Sequence, residues 1–380
     1  MLCKPIFSVL GPLVALPLAA CSPSQPAPQP KTETAPTTEQ VPAAPTAPRP
    51  TPTADPHTPP KPGALKTFSD WTVGCDNTLR CTLGSLLPEA GGESMITLNL
   101  TREPGAVARG GGRISLALDT RNDDAATKRP PAGFTVDGKP VALRNAAALA
   151  RAIANAQSLK ILDANGATLT TLSLRGAAAA LRYIDAQQGR AGSTDAIVAR
   201  GPAPSAAPTP PLPIITAITQ SGTAAKLTAA QVATMRKRAT CDLASFPDGA
   251  GESITTPETH ALGGGKSLVI LPCSTGAYNL IGALFIVDGA GITPAQLDAP
   301  AGFEATGADT GTPVKSVING AFENGVLTSY AKGRGLGDCG SRQNFVWDAT
   351  RFRLADQADM GECRGNADYI TTWRAKVVRP

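Results

Sequence analysis

The run Tyr330-Ala331-Lys332-Gly333-Arg334-Gly335-Leu336-Gly337-Asp338-Cys339-Gly340 sets cations, a carboxylate and a cysteine among glycines. So many glycines exclude a helix interior and let a backbone approach another surface closely. Upstream, Leu271-Pro272-Cys273-Ser274-Thr275-Gly276-Ala277-Tyr278-Asn279 joins two apolar runs and ends on a Tyr-Asn pair. Tyr278, Asn279, Lys332, Arg334 and Asp338 therefore read as a small polar binding site. A competing reading gives the glycines to tight turns and makes Arg334 and Asp338 a local ion pair. The binding reading expects Arg334→Ala to abolish a ligand contact at unchanged melting temperature; the ion-pair reading expects a loss of stability.

Other chemistry is narrowed by composition. The histidines are His57, in a Pro-rich run, and His260. A His-rich zinc site is excluded, and any Ser-His-Asp or Cys-His mechanism depends on His260, which reads as part of an exposed loop. Gly263-Gly264-Gly265-Lys266-Ser267 imitates the end of a phosphate-binding loop. The glycine that loop needs further upstream is replaced by His260, and the segment leads into a strand rather than a helix. No metal, cofactor or catalytic residue is expected. Asp70, Asp76, Asp338, Asp356 and Asp359 are the candidate acid/base carboxylates, yet aspartates beside Gly and Asn are commonly turn formers. A formal charge of +5 without a long basic block, together with 4% aromatics, argues against nucleic-acid binding. Arg236-Lys237-Arg238, the densest cationic cluster, reads as a solvated helix face.

The N-terminus supplies an address. Met1-Leu2-Cys3-Lys4 precedes an apolar run from Pro5 to Ala20, the pattern of an export signal too short to span as a mature helix. Leu18-Ala19-Ala20-Cys21 matches the bacterial lipoprotein box, so residues 1–21 read as a lipoprotein signal with Cys21 lipidated. Ser22 rather than Asp at the next position points to the outer membrane. Several acyl chains on one residue would anchor the protein firmly, at about 0.8 kcal/mol per buried methylene. The six later cysteines, Cys75, Cys81, Cys241, Cys273, Cys339 and Cys363, fit an oxidising compartment. They are expected to pair in sequence order, which removes them as nucleophiles.

The elements that position these groups fall into two blocks. Residues 22–64 are a Pro/Ala/Thr-rich tether without apolar periodicity, stiffened towards polyproline II and able to reach up to ~100 Å. Residues 65–200 show strands at Phe68–Cys75, Cys81–Leu83, Ile96–Leu100 and Ile114–Leu118. Hairpins follow around Asp137-Gly138 and Asn165-Gly166, with helices from Asn145 to Gln157 and from Ala177 to Gln188. Residues 201–213, with six prolines, form a linker that marks a domain boundary. Residues 214–380 begin with a helix capped by Thr228 and reaching Cys241. Strands follow at Ser267–Leu271, Tyr278–Val287, Val314–Ile318, Val326–Ala331, Asn344–Asp348 and Arg351–Leu354. The fold class is α+β: two mainly antiparallel-sheet domains with a few covering helices, stabilised by disulfides.

Several of these motifs carry a resemblance. Phe68-Ser69-Asp70-Trp71 with Cys75-Asp76-Asn77, Ile184-Asp185-Ala186-Gln187-Gln188-Gly189-Arg190, Leu271-Pro272-Cys273 with Gly276-Ala277-Tyr278-Asn279, and Arg334-Gly335-Leu336-Gly337-Asp338-Cys339-Gly340 with Trp347-Asp348 resemble the bacterial envelope family called domain of unknown function 1176. The likeness runs from about residue 65 to 380. The first domain also resembles invasion-associated locus B-like proteins. The resemblance implies an exported protein with no established activity, and it carries over no catalytic residues. The combined expectation is a non-enzymatic, periplasm-facing lipoprotein, held to the membrane by its lipid and binding an envelope protein or glycan. The alternative is a His-independent hydrolase using Asp338 and a second carboxylate on cell-wall material.

Overall fold

A computed structural model describes residues 58–89, 94–121, 123–249, 251–289, 291–307 and 313–379. The expected export signal, Cys21 and the expected tether as far as residue 57 lie outside the described residues. Among the described residues no helix is long and apolar enough to cross a membrane.

The first half begins with a five-stranded antiparallel sheet in chain order: Lys66–Phe68, Trp71–Cys75, Cys81–Ser85, Thr97–Arg102 and Ile114–Asp119. Sequence alternation had suggested one strand over Phe68–Cys75. Instead the chain turns back at Ser69, whose φ of 53° no strand accommodates, and Phe68 pairs with Trp71. A four-stranded antiparallel sheet follows, ordered Lys139–Ala142, Pro131–Val136, Ser158–Asp163, Thr168–Ser173. Asp137 and Gly138, both at positive φ, make the tight turn that their types announce. Helices Ala146–Ile153 and Ala177–Gln187 bury Leu149, Ile153, Leu181 and Ile184 in a core shared with both sheets. Asn145 caps the first of them by accepting from the Ala148 N–H. That helix stops at Ile153, short of Gln157. Trp71 is fully buried and ties the sheets by donating from Nε1 to the Ser173 carbonyl at 2.9 Å; burial of a side chain this large contributes at least about 1.5–3 kcal/mol.

The second half stacks two more antiparallel sheets. One runs Glu258–Gly263, Lys266–Thr275, Leu280–Asp288, Gly291–Pro294, with Ser316–Ile318 also paired to the Leu280–Asp288 strand. The other is a meander of Ala321–Glu323, Val326–Lys332, Gly340–Trp347, Phe352–Met360 and Ile370–Arg374. Leu268, Ile270, Leu284 and Ile286 meet Leu327, Phe345, Phe352 and Leu354 to form the core between them. Helix Ala229–Arg238 covers the outer face of the first of these sheets through Met235. Its start is fixed by a reciprocal Thr228–Gln231 capping box, and it ends before Cys241. Cys75–Cys81, Cys241–Cys273 and Cys339–Cys363 are disulfide-bonded. The sheets are mostly antiparallel, the exception being a two-stranded parallel pair of Ile214–Thr216 with Lys376–Val378, and the helices are few.

The described residues fall in one compact unit. Segment 201–213 is itself packed: Ala207 is buried, and Pro213 accepts from the Lys376 N–H at 2.7 Å. A polar seam joins the N-terminal hairpin to the end of the chain. Arg364 reaches the Leu87 and Ser69 carbonyls and the Asp70 carboxylate. Arg374 reaches Asp76 and Thr78, while Asn366 donates to Ser85 and Asn99. Gly63, the end of the expected tether, donates to the Thr372 carbonyl at 2.8 Å.

Candidate functional site

The loop between strands Val326–Lys332 and Gly340–Trp347 is closed at its neck by a Gly333 N–H to Cys339 carbonyl bond of 2.8 Å and by the Cys339–Cys363 disulfide. Its glycines are demanded by packing. A Cβ on Gly340, at φ 135°, would stand 1.9 Å from the Ala331 carbonyl oxygen, and one on Gly333 would meet the Cys339 sulfur at 2.6 Å.

Asp338 is wholly buried inside this loop. Both of its oxygens accept from Arg334, in the fork geometry that suits a carboxylate, and one also takes the Gly365 N–H at 2.6 Å. Burial alone would raise the Asp338 carboxyl, but the bonds from Arg334 and Gly365 outweigh it and hold its pKa below the ordinary value. Asp338 is thus an ionised clamp, unsuited to donating a proton near neutral pH. The expected ion pair exists, and Arg334 and Asp338 belong to the loop's scaffold.

Tyr278 and Asn279 lie in the turn before strand Leu280–Asp288 rather than within it. Asn279 is buried and locks onto Lys332 in both directions, donating to its carbonyl at 2.9 Å and accepting from its N–H at 3.1 Å. Asn319, at φ 45°, ties the same place together. Its amide donates to Asn279 Oδ1 and to the Tyr330 carbonyl, both at 2.9 Å, and its own oxygen accepts from Leu280. Tyr278 remains 45% exposed, with its ring against Gly335. Lys332 has no carboxylate partner among the described residues, and its ammonium stands 5.6 Å from the Tyr330 ring centre.

These residues border a cavity of about 560 Å³ beside the disulfide. Tyr278, Asn279 and Lys332 line it; Arg334 and Asp338 do not. Its remaining walls include Leu65, Phe303, Met360, Ser341 and Asp359. Ser341 is 3% exposed, and its hydroxyl is directed at the Asp359 carboxylate, whose charge it favours. It stands opposite Asp359 in the strand register. Burial raises the Asp359 carboxyl above its ordinary value, and bonds from Thr372, Gln357 and Ser341 offset this only in part.

The other candidate carboxylates lie elsewhere. Asp70 and Asp76 belong to the polar seam. Asp356 lines a different cavity, bounded by Asn344 and Arg374, so it does not act with Asp359 in one site. His260 sits in strand Glu258–Gly263 rather than in an exposed loop, with Nε2 at 3.3 Å from Glu258 and its ring against Phe322. Among the described residues no cluster of His, Cys, Asp or Glu is placed to hold a metal. Asn319 and Ser341 escaped sequence reasoning. Asn319 next to Gly320 carried a turn signal, whereas an isolated serine in a strand carries none.

A family model described as protein of unknown function (DUF1176) matches residues 65–376. The chain is 26% identical over 349 residues to the uncharacterized protein YpfG of Escherichia coli (strain K12), covering 82% of this chain and 92% of that relative. No solved structure matches the chain.

Proposed function

The chain belongs to the DUF1176 family of proteins of unknown function, and from that premise we propose that it is a binding protein of the cell envelope whose ligand enters the cavity beside the Cys339–Cys363 disulfide. The meeting of apolar walls, a half-exposed Tyr278 and a lysine without a carboxylate partner among the described residues, Lys332, around one cavity is the observation that carries this reading. Leu65, Phe303 and Met360 supply apolar contact, Tyr278 supplies a ring and a hydroxyl, and the Lys332 ammonium supplies charge. A volume of about 560 Å³ suits a small molecule or a short stretch of peptide or glycan. Ala305→Trp would fill the cavity from a half-buried wall. In capture experiments from envelope extracts this variant should lose the molecules that the wild type retains while keeping its melting temperature. Identical profiles from the two would sink the proposal.

Export and lipid anchoring at Cys21 belong to the same proposal, supported by the N-terminal motif and by three disulfides. Radiolabelled fatty acid should be incorporated by the wild type and not by Cys21→Ala. The likeness of residues 65–200 to invasion-associated locus B-like proteins is carried forward in the same way. A second, enzymatic reading rests on Asp359: a carboxyl raised by burial and facing a cavity has the character of a general acid. Turnover of a peptidoglycan digest that disappears in Asp359→Asn would favour it over simple binding.

A further inference from the structure

A second cavity, of about 540 Å³, opens in the first half. Its walls come from strand Thr97–Arg102, the Gly110–Gly112 turn, helix Ala146–Ile153 and segment 194–197. Arg102, Arg113, Arg151 and Arg200 line it, against a single carboxylate, Asp195.

The charges behind this wall are already matched. Arg102 is 3% exposed and donates from Nη1 to Asp185 at 2.9 Å. Asp185 in turn accepts the backbone N–H groups of Ile197, Val198 and Ala199. Arg190, fully buried, is held by Gln188 and the Gly105 carbonyl and lies 3.5 Å from Asp195. Asp195 also accepts from the Val107 N–H. Two buried guanidiniums thus face two carboxylates whose remaining capacity is taken by backbone donors. The Arg102 Nε, however, is buried without any acceptor. Burial, with Arg190 close by, pushes the Arg102 pKa down to about 10, the direction expected where positive charge is in excess.

Around the mouth, Arg113, Arg151 and Arg200 are exposed and have no carboxylate partner among the described residues; Arg200 donates to the Thr194 carbonyl. Three unpaired guanidiniums on one concave rim, over a buried arginine with an orphaned donor, make an electrostatic trap.

We propose that this cavity is a binding site for a phosphate monoester, gripped by Arg113, Arg151 and Arg200 at the rim with Arg102 at its base. A dianion carrying three terminal oxygens matches three forked donors, and the volume leaves room for the group that bears it. The shared chemistry is the phosphate; its carrier is a soluble molecule or a lipid headgroup.

The test titrates the full chain with inorganic phosphate, with glucose 6-phosphate, and with vesicles containing phosphatidic acid, each at low and high salt. Binding to at least one of them should appear and weaken as salt rises. The triple variant Arg113→Gln/Arg151→Gln/Arg200→Gln should bind about tenfold or more weakly. Its melting temperature should change little, since these exposed side chains make no ion pair among the described residues and only the Arg200 bond to the Thr194 carbonyl is lost. Binding of the soluble probes assigns a soluble ligand; binding of vesicles alone assigns a headgroup. Absence of binding to all three probes, or equal binding by the triple variant, overturns the proposal. Ala305→Trp should leave this binding untouched, which separates its outcome from that of the disulfide-side cavity.

Discussion

Asp185 in the first half and Asp338 in the second are both shut off from solvent, and each closes a loop by accepting from an arginine and from backbone N–H groups. Their partners differ. Arg102, which serves Asp185, is 3% exposed, whereas the Arg334 side chain is 44% exposed. The same pair of residue types therefore makes a buried interaction in one place and a half-solvated one in the other. In the first, removing one member strands its partner in a medium without water. In the second, water can screen the arginine left when the aspartate is removed. Arg334 thus braces its loop from a half-solvated position, while Arg102 does so from the interior.

Asp185→Ala should produce the largest effect. It leaves Arg102 unpaired and orphans three backbone donors, at a cost of about 3–5 kcal/mol in urea unfolding. A loss below about 1 kcal/mol would erase the distinction between the two sites. Asp338→Ala should cost less, about 1–2 kcal/mol, because the arginine it leaves is half-solvated and only the Gly365 N–H is orphaned. The pH dependence sharpens this. A carboxyl held below its ordinary value contributes stability that is complete above about pH 4 and is lost as pH falls through its folded pKa. Arg334→Ala should flatten that acid limb of the stability curve, and an unaltered limb would show that the pair does not set it.

Asp359→Asn should have the smallest effect and the opposite sign. Its carboxyl is raised, so the ionised form is a burden on the folded state above that pKa. The variant should equal or exceed the wild type in stability at pH 7, and the difference should vanish as pH drops below the carboxylate range. A clear loss at pH 7 would mean that the bonds from Thr372 and Gln357 need the charge.

Local chemistry made part of this legible in advance. Asp137-Gly138 and Asn165-Gly166 dictated turns, Asn145 and Thr228 dictated helix starts, and neighbouring cysteines paired within loops. Misreadings arose where distant parts decide. Strand Phe352–Met360 extends past Leu354 through Asp356, Gln357 and Asp359, polar residues that read as loop but pair with Gly340–Asn344. The Asp124–Lys128 helix, a single turn capped by Asp123, offers too little periodicity to see. In the candidate site, glycines and a cysteine marked the loop. The cavity itself was invisible, because Leu65, Phe303 and Met360 meet only through long-range packing, and the Arg102–Asp185 pair spans 83 positions.

The seam carried by Arg364, Asn366 and Arg374 has a temporal corollary. These side chains fasten onto residues that precede them by almost the whole length of the fold, Asp70, Ser85 and Asp76 among them. During folding the opening hairpin lacks its clasp until residues 364–374 have closed back onto it. A molecule clipped ahead of Arg364 should leave that beginning undocked and resist proteases less than the intact chain.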